Sequence, residues 1–327
     1  MLIVSPAMAR ENNGNWQTAS RWCHFLRQRH VAAIAGDWSP QAGAAPDLLI
    51  ALHARRSAHA IAAFATAYPE RPRVLVLTGT DLYCDIAEVP EARASLAHAT
   101  RLVLLQSAGL AMLSPAMRAK ASVIYQSAPT MHPPPRAPAR RHFDVCMIGH
   151  LRAVKDPYTY MRASTLVTSP KVRLLHIGGT LESALGQAAS TTQAVNPRYQ
   201  WLGNMPHNAA RQRLSRSDLM VISSLMEGGA NVIIEAVTSG VPVLASDING
   251  NRGMLGEDYA GYFEPGDAPQ LARLIDRCIA EPDFYAELCR QCAARAPLFT
   301  PENERARVLE LVDNLFKVNN DGNHHEQ

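Results

Sequence analysis

The sequence predicts an α/β protein of two domains, each a parallel sheet whose strands alternate with helices. Three observations carry that reading. Short apolar runs recur along the chain, among them Leu219-Met220-Val221-Ile222 and Val241-Pro242-Val243-Leu244-Ala245, as strands buried on both faces require. Segments with helical spacing fill the intervals, which is how parallel strands are connected. Between residues 129 and 142 the composition changes sharply, with Pro129, Pro133, Pro134, Pro135 and Pro138 in one basic stretch that can continue neither a helix nor a central strand. The expected division is a domain over 1–128, a linker over 129–142 and a second domain over 143–300. A helix over 301–318 that returns to the first domain and a disordered tail over 319–327 complete it.

Composition narrows the function classes. Hydrophobic residues make up 47% of the 327 and charged residues 19%, as in a soluble globular protein large enough for two cores. A formal charge of +3 is too small to imply nucleic acid as a partner. No apolar run approaches 18 residues and Leu2-Ile3-Val4 reads as a first strand, so neither a membrane span nor a signal peptide is expected, and the placement is cytoplasmic. Six cysteines then read as reduced thiols. Cys289 and Cys292 share a helical pattern with Cys278 but lack a partner pair, so zinc is not expected.

In the first domain, strands are expected at about 2–5, 31–35, 47–52, 74–77, 102–106 and 123–126. The first is followed by Asn12-Asn13-Gly14-Asn15 and a helix over 16–29, spaced through Trp16, Ala19, Trp22, Cys23 and Leu26. Ligands of open α/β sheets meet a helix N-terminus at such a point, but the spaced glycines of a dinucleotide fingerprint are missing. The strand over 47–52 runs into His53-Ala54-Arg55-Arg56-Ser57, read as the opening of the next helix. Two arginines there oppose the helix dipole, which a bound anion would relieve; solvated surface arginines are the alternative. The strand over 74–77 ends in Thr78-Gly79-Thr80-Asp81.

In the second domain, the strand over 143–148 ends in Gly149-His150-Leu151-Arg152-Ala153-Val154-Lys155, where Arg152 and Lys155 could share one phosphate. Further strands end at Gly178-Gly179 and at Gly203-Asn204-Met205, where backbone groups could read a nucleobase edge. Between the two apolar runs named above lies Glu227-Gly228-Gly229-Ala230-Asn231-Val232, opening a helix that carries Glu235 and closes at Gly240. Glycines that admit a ligand to the backbone, free N–H groups at a helix start and a carboxylate on either side suit a diphosphate joined to polyols. A buried strand–helix–strand unit with incidental acids is the alternative.

These residues resemble a known family. Two Rossmann-like halves, Gly149-x-Leu-Arg152-x-x-Lys155 and Glu227-x7-Glu235 look like the GT-B glycosyltransferases of the large retaining family that uses nucleotide-sugars, a match strongest over 143–266. The resemblance implies two domains facing a central cleft and a UDP-sugar donor bound mainly by the second half. It implies that Arg152 and Lys155 hold the diphosphate, with the Asn231 and Val232 amides beside them. Glu227 would bond the sugar's hydroxyls and Glu235 the ribose. Gly14, Asn15, Gly149, His150, Gly178, Gly203, Met205, Gly228, Gly229 and Ala230 complete the implied donor set. No Asp-x-Asp motif is evident, so no metal and no permanently bound cofactor are expected.

A narrower resemblance runs through the segment 12–19, Leu52-His53-Ala54-Arg55-Arg56-Ser57, the segment 77–83 and Glu227-Gly228-Gly229-Ala230-Asn231. Together these look like the selenosugar synthases of selenoneine biosynthesis, in which a UDP-sugar and selenophosphate give a 1-seleno-sugar. Selenophosphate is already an anionic, soft nucleophile and needs little activation by a base. It does need positive charge to approach a diphosphate, which Arg55 and Arg56 would supply. Asn12, Asn13 and Thr80 join them as acceptor candidates. His53, Asp81 and His150 are candidates for the loss of phosphate, beside Glu227, Arg152 and Lys155 for the transfer. Two alternatives stay open: a glycosyltransferase with an ordinary alcohol, sugar or lipid acceptor, and a nucleotide-sugar binding protein without turnover. Oligomeric state is not legible.

Overall fold

The computed structural model describes residues 1–10, 13–42, 45–131 and 142–322, and divides the chain into two units, Met1–Ser127 with Pro301–Gln327 and Ala128–Thr300. Most of the expected linker, the tail from residue 323 and Asn12 lie outside the described residues.

The first unit is a six-stranded, wholly parallel sheet. Its strands are β1 (Leu2–Val4), β2 (Ala33–Ala35), β3 (Leu49–Leu52), β4 (Arg73–Leu77), β5 (Arg101–Leu104) and β6 (Ala121–Val123), in the order β2-β1-β3-β4-β5-β6. All four residues of β3 are fully buried, which explains its uninterrupted apolar run. The order reverses direction between β1 and β3, so the loops after these two strands emerge side by side. Asn13 caps the helix Gly14–Leu26, its side chain accepting from the N–H groups of Asn15 and Trp16. The helix therefore starts two residues before the expected position.

The helix after β3 is Ala58–Ala67, so Arg55 and Arg56 occupy the turn ahead of it and not its first turn. The two cations therefore stand just ahead of the cap residue Ser57 and not within the helix. The edge strand β6 also lies earlier in the chain than the expected 123–126.

The last helix, Pro301–Gly322, belongs to this first unit and continues four residues into the expected tail. It is fastened by Glu304, which is fully buried. The Glu304 carboxylate accepts from Arg21 Nε at 2.5 Å and Nη2 at 3.0 Å, Trp22 Nε1 at 2.8 Å and Ser127 Oγ at 2.5 Å. A buried carboxylate is tolerable only when paired and fully hydrogen-bonded, and this one is both. Val308, Leu309, Val312 and Leu315 of the same helix pack into the core with Trp22 and Leu26.

The second unit is another parallel six-stranded sheet: β7 (Phe143–Ile148), β8 (Val172–Ile177), β9 (Tyr199–Trp201), β10 (Leu219–Ile222), β11 (Val243–Ser246) and β12 (Tyr262–Phe263), ordered β12-β11-β10-β7-β8-β9. Here the order reverses between β7 and β10, two strands more than 70 residues apart in the chain. Helices Ala268–Ala280 and Pro282–Arg295 follow β12, the first capped by Asp267 on the Gln270 N–H. A helix not expected from the sequence, Asn249–Leu255, follows β11.

Candidate functional site

The chemistry-bearing residues of the second unit gather at the C-terminal ends of its strands, around the β7/β10 reversal. After β7 the chain passes through Gly149 to a single 3₁₀ turn, Ala153–Lys155, and Asp156 adopts the left-handed conformation (φ +41°) that starts the helix Pro157–Leu166. Ser223, just past β10, holds that turn by donating Oγ to the carbonyls of Lys155 (3.1 Å) and Asp156 (2.8 Å). The turn thus presents Lys155 to the next loop, where its ammonium donates to the Glu227 carboxylate. Ser224 Oγ donates to the same Glu227 oxygen at 2.6 Å. Both members of the ion pair are largely buried, with side chains 18% and 10% exposed.

Lys155 and Glu227, expected to address phosphate and sugar separately, therefore address each other. An ammonium has three donors, so two remain for an anion. Arg152 is not drawn into this cluster: it caps the 3₁₀ turn through its backbone and its side chain is exposed. The Glu227 loop is also fixed from behind. A Cβ at Gly250 would lie 2.1 Å from the Glu227 carbonyl oxygen, so the unexpected helix Asn249–Leu255 packs directly on that loop, and only glycine permits it.

The helix Asn231–Thr238 begins next to Glu227. Its cap residue, Ala230, has no side-chain acceptor, so the first-turn N–H groups at Asn231 and Val232 are left without a side-chain cap. Together with the Lys155 charge they make a site electrostatically fit for an anion. Gly228 is buried and Gly229 half-buried on the approach.

Glu235, four residues into this helix, is 6% exposed. Its carboxylate meets His207 Nε2 at 2.6 Å and lies 3.9 Å from Arg211 Nε, while Arg211 Nη2 donates to the Pro129 carbonyl at 2.6 Å. His207 was not singled out from the sequence; nothing in a lone histidine at the start of the helix His207–Ser215 marks it as the partner of Glu235. Gly203 takes a left-handed φ of +69° and its carbonyl accepts from the Gly178 N–H at 2.8 Å, while Met205 is half-buried two residues on.

A second cluster forms in the first unit, after β3 and β4. His53 is 2% exposed and holds a left-handed φ of +75°, which costs a non-glycine residue roughly 1–3 kcal/mol. Its Nδ1 accepts from the Arg56 N–H (3.4 Å), which leaves the ring proton on Nε2, 3.1 Å from Thr80 Oγ. Burial pushes the His53 imidazole below its ordinary value, against the pull of Asp81.

Asp81 is fully buried and its carboxylate accepts the N–H groups of Ala54 (2.9 Å), Thr78 (2.9 Å) and Gly79 (2.7 Å). It staples the β3 and β4 loops together, and a carboxylate so occupied is a positioning group and not an open acid or base. Asp85 was missed. It ends a π-helical turn, Asp81–Asp85, and its carboxylate stands 3.2 Å from Arg55 Nε and 3.8 Å from His53 Nε2. Arg56 is exposed, as is Thr80. The Asn13 side chain is engaged in capping the helix Gly14–Leu26, whose first turn Gly14 and Asn15 open.

Among the described residues no three His, Cys, Asp or Glu side chains group as a metal site, and no helix is long and apolar enough to cross a membrane. All six cysteines are thiols.

Residues 134–298, about half of the chain, match the family described as glycosyl transferases group 1. Glycosyltransferase 1 domain-containing protein 1 of Xenopus tropicalis is 30% identical over 183 residues, covering 53% of this chain and 51% of that protein. Protein CapJ of Staphylococcus aureus is 32% identical over 104 residues, 32% of this chain and 26% of CapJ. The matched segments thus span about half or less of these relatives. Among solved structures, Anabaena HepE in complex with UDP superposes with a TM-score of 0.74 at 18% identity, covering 96% of this chain and 98% of that one. Sucrose-phosphate synthase from Thermosynechococcus elongatus superposes with a TM-score of 0.70 at 19% identity, over 95% and 81%. These likenesses establish the two-domain GT-B fold.

Proposed function

Because the chain belongs to the group 1 glycosyl transferases, we propose that it transfers a hexose from a UDP-sugar, and that the acceptor is selenophosphate, with a 1-seleno-sugar as the product. The observation that carries the donor half is the juxtaposition, at the β7/β10 reversal, of the Lys155–Glu227 pair with the uncapped start of the helix Asn231–Thr238. Structures of HepE in complex with UDP and with UDP-glucose support the choice of nucleotide.

In this reading the diphosphate lies against the Asn231 and Val232 amides and draws Lys155 toward itself. Glu227 then turns to the sugar hydroxyls and Glu235 exchanges His207 for the ribose. As the anomeric C–O bond breaks, UDP departs with the electron pair. The charge gained on its β-phosphate is offset by Lys155, by Arg152 from the exposed end of the turn, and by the helix dipole. The selenium of selenophosphate forms the new bond to the anomeric carbon. Water then cleaves Se–P, releasing phosphate and the seleno-sugar. Arg55 and Arg56 are the cations proposed to receive the acceptor, with Thr80 and His53 beside them. Support for selenophosphate in particular is the resemblance of the segments 12–19, 52–57 and 77–83. N-acetylglucosamine and glucose are both candidate sugars.

The test is incubation with UDP-N-acetylglucosamine or UDP-glucose and selenophosphate, followed by mass spectrometry for UDP and a selenium-bearing sugar. UDP release with an alcohol and none with selenophosphate would sink the acceptor assignment while leaving the donor intact. Tight UDP binding with no turnover toward either acceptor would identify a binding protein instead.

A further inference from the structure

Beneath the Gly149 loop lies a polar chain that none of the roles above uses. His176 sits on β8 and is fully buried. Its Nε2 lies 3.2 Å from the Gly149 carbonyl oxygen and its Nδ1 lies 2.8 Å from the Tyr199 hydroxyl on β9. A carbonyl can only accept, so Nε2 carries the ring proton; Nδ1 is then the acceptor and Tyr199 its donor. The order Tyr199 O–H to His176 Nδ1, His176 Nε2–H to Gly149 O is thereby the one arrangement that satisfies every member. Tyr160 and Tyr199 pack edge-on around the imidazole, with centroids 6.0 and 6.2 Å away.

The Gly149–His150 peptide is planar and trans, so its C=O and N–H point in opposite directions. With the carbonyl directed at His176, the His150 N–H points away from that ring. That N–H has no acceptor among the described residues, whereas its neighbours do: the Gly149 N–H bonds Ile177 O at 2.9 Å and the Leu151 N–H bonds Gly179 O at 2.9 Å. The peptide is hemmed in on the β8 side as well. A Cβ at Gly178 would lie 1.9 Å from the Gly149 oxygen and 2.9 Å from the His150 nitrogen. Trp201 Nε1 holds the Gly178 carbonyl at 2.9 Å, and the Gly179 N–H bonds His150 Nδ1 at 3.1 Å.

We propose that His176 and Tyr199 are a positioning pair that fixes the Gly149–His150 peptide so that the His150 N–H serves as a donor to the diphosphate of the nucleotide. This rests on the donor reading above. It adds a backbone donor from the β7 loop to those at Asn231 and Val232, and it gives Tyr199 and His176, neither of which touches the ligand, a measurable part in binding. Burial keeps the imidazole neutral, with its affinity for a second proton lowered to about 4, so the pair holds one tautomer throughout the neutral range.

Three variants and two ligands test it: Tyr199→Phe, which deletes only the hydroxyl; His176→Phe, which deletes both ring nitrogens; and His176→Gln, whose amide can again donate to Gly149 O. UDP and uridine are titrated by calorimetry into the full-length protein, with melting temperatures recorded in parallel. Loss of one charge-assisted hydrogen bond predicts UDP binding weakened about tenfold in His176→Phe, less in Tyr199→Phe, and partly restored in His176→Gln, with uridine affinity unchanged in all three. Nitrogen-15 spectroscopy should show the Nε2–H tautomer of His176, and the His150 amide proton should move downfield on adding UDP to the wild type. Equal weakening of UDP and uridine, or a His150 amide unmoved by UDP, overturns the proposal. Wild-type protein that fails to bind UDP at all overturns the donor reading itself, a distinct result. Should His176→Phe fail to fold, Tyr199→Phe and the amide shift decide the matter alone.

Discussion

The ammonium of Lys155 donates directly to the carboxylate of Glu227, joining the loop after β7 to the loop after β10. On the proposed donor reading, a nucleotide-sugar entering there divides the pair, taking the cation for its phosphates and the anion for its sugar. Glu227→Gln keeps the shape and removes the competing charge. UDP alone should therefore bind this variant at least as tightly as wild type by calorimetry, while UDP release during turnover falls about a hundredfold. Weakening of UDP in step with turnover would contradict this division of roles.

Gly250 is the second handle on the same loop. A methyl group at that position meets the Glu227 carbonyl at 2.1 Å, so the loop or the helix Asn249–Leu255 must move. Gly250→Ala is expected to destabilise by about 1–3 kcal/mol in urea titrations and to lower transferase activity. A variant with full activity and unchanged stability would show that the contact is slack.

Glu304 anchors the last helix through four bonds from a fully buried site. Glu304→Ala leaves Arg21 without its carboxylate partner and should cost about 3–5 kcal/mol, measured by chemical denaturation. Activity at low temperature, where the variant stays folded, should be nearly normal.

Stability should also fall on mild acidification, and the sign follows from His176. Its folded-state value is about 4 against an ordinary 6.5, so below pH 6.5 the unfolded chain takes up a proton that the folded one refuses. The contribution is complete above pH 6.5 and is lost between 6.5 and 4, amounting to about 3 kcal/mol across that window. His53, lowered chiefly by burial, acts in the same direction. Urea midpoints measured from pH 7.5 to 4.5 check this. A flat profile would mean that neither ring is held neutral by the fold.

Much of this architecture was legible in the amino acids. The runs that became β10 and β11 are apolar throughout because both faces are covered, and Gly240 closes the helix between them with a left-handed φ of +71°. The helix Asn249–Leu255 was hidden because Asn-Gly-Asn has the chemistry of a turn. Its Asn251 is nonetheless buried, donating to the Ser246 carbonyl at 2.8 Å.

Contacts across the sheet were harder. The Lys155–Glu227 pair depends on β7 lying beside β10, an adjacency set by strand order and absent from any local pattern. Asp81 and Asp85 looked alike in sequence. Only the π-helical turn between them separates a carboxylate filled by backbone amides from one turned toward Arg55 and His53.

The return of Pro301–Gly322 to the first unit makes that unit discontinuous, and synthesis runs in one direction. While a ribosome is still adding the residues before Pro301, β1 to β6 are complete, yet the helix carrying Glu304, Val308 and Val312 does not yet exist. The second unit, continuous from Ala128 to Thr300, can close first. Begun earlier, the first unit is finished last, and a nascent chain stalled at its final helix would expose Trp22 and Leu26 until the remaining residues emerged.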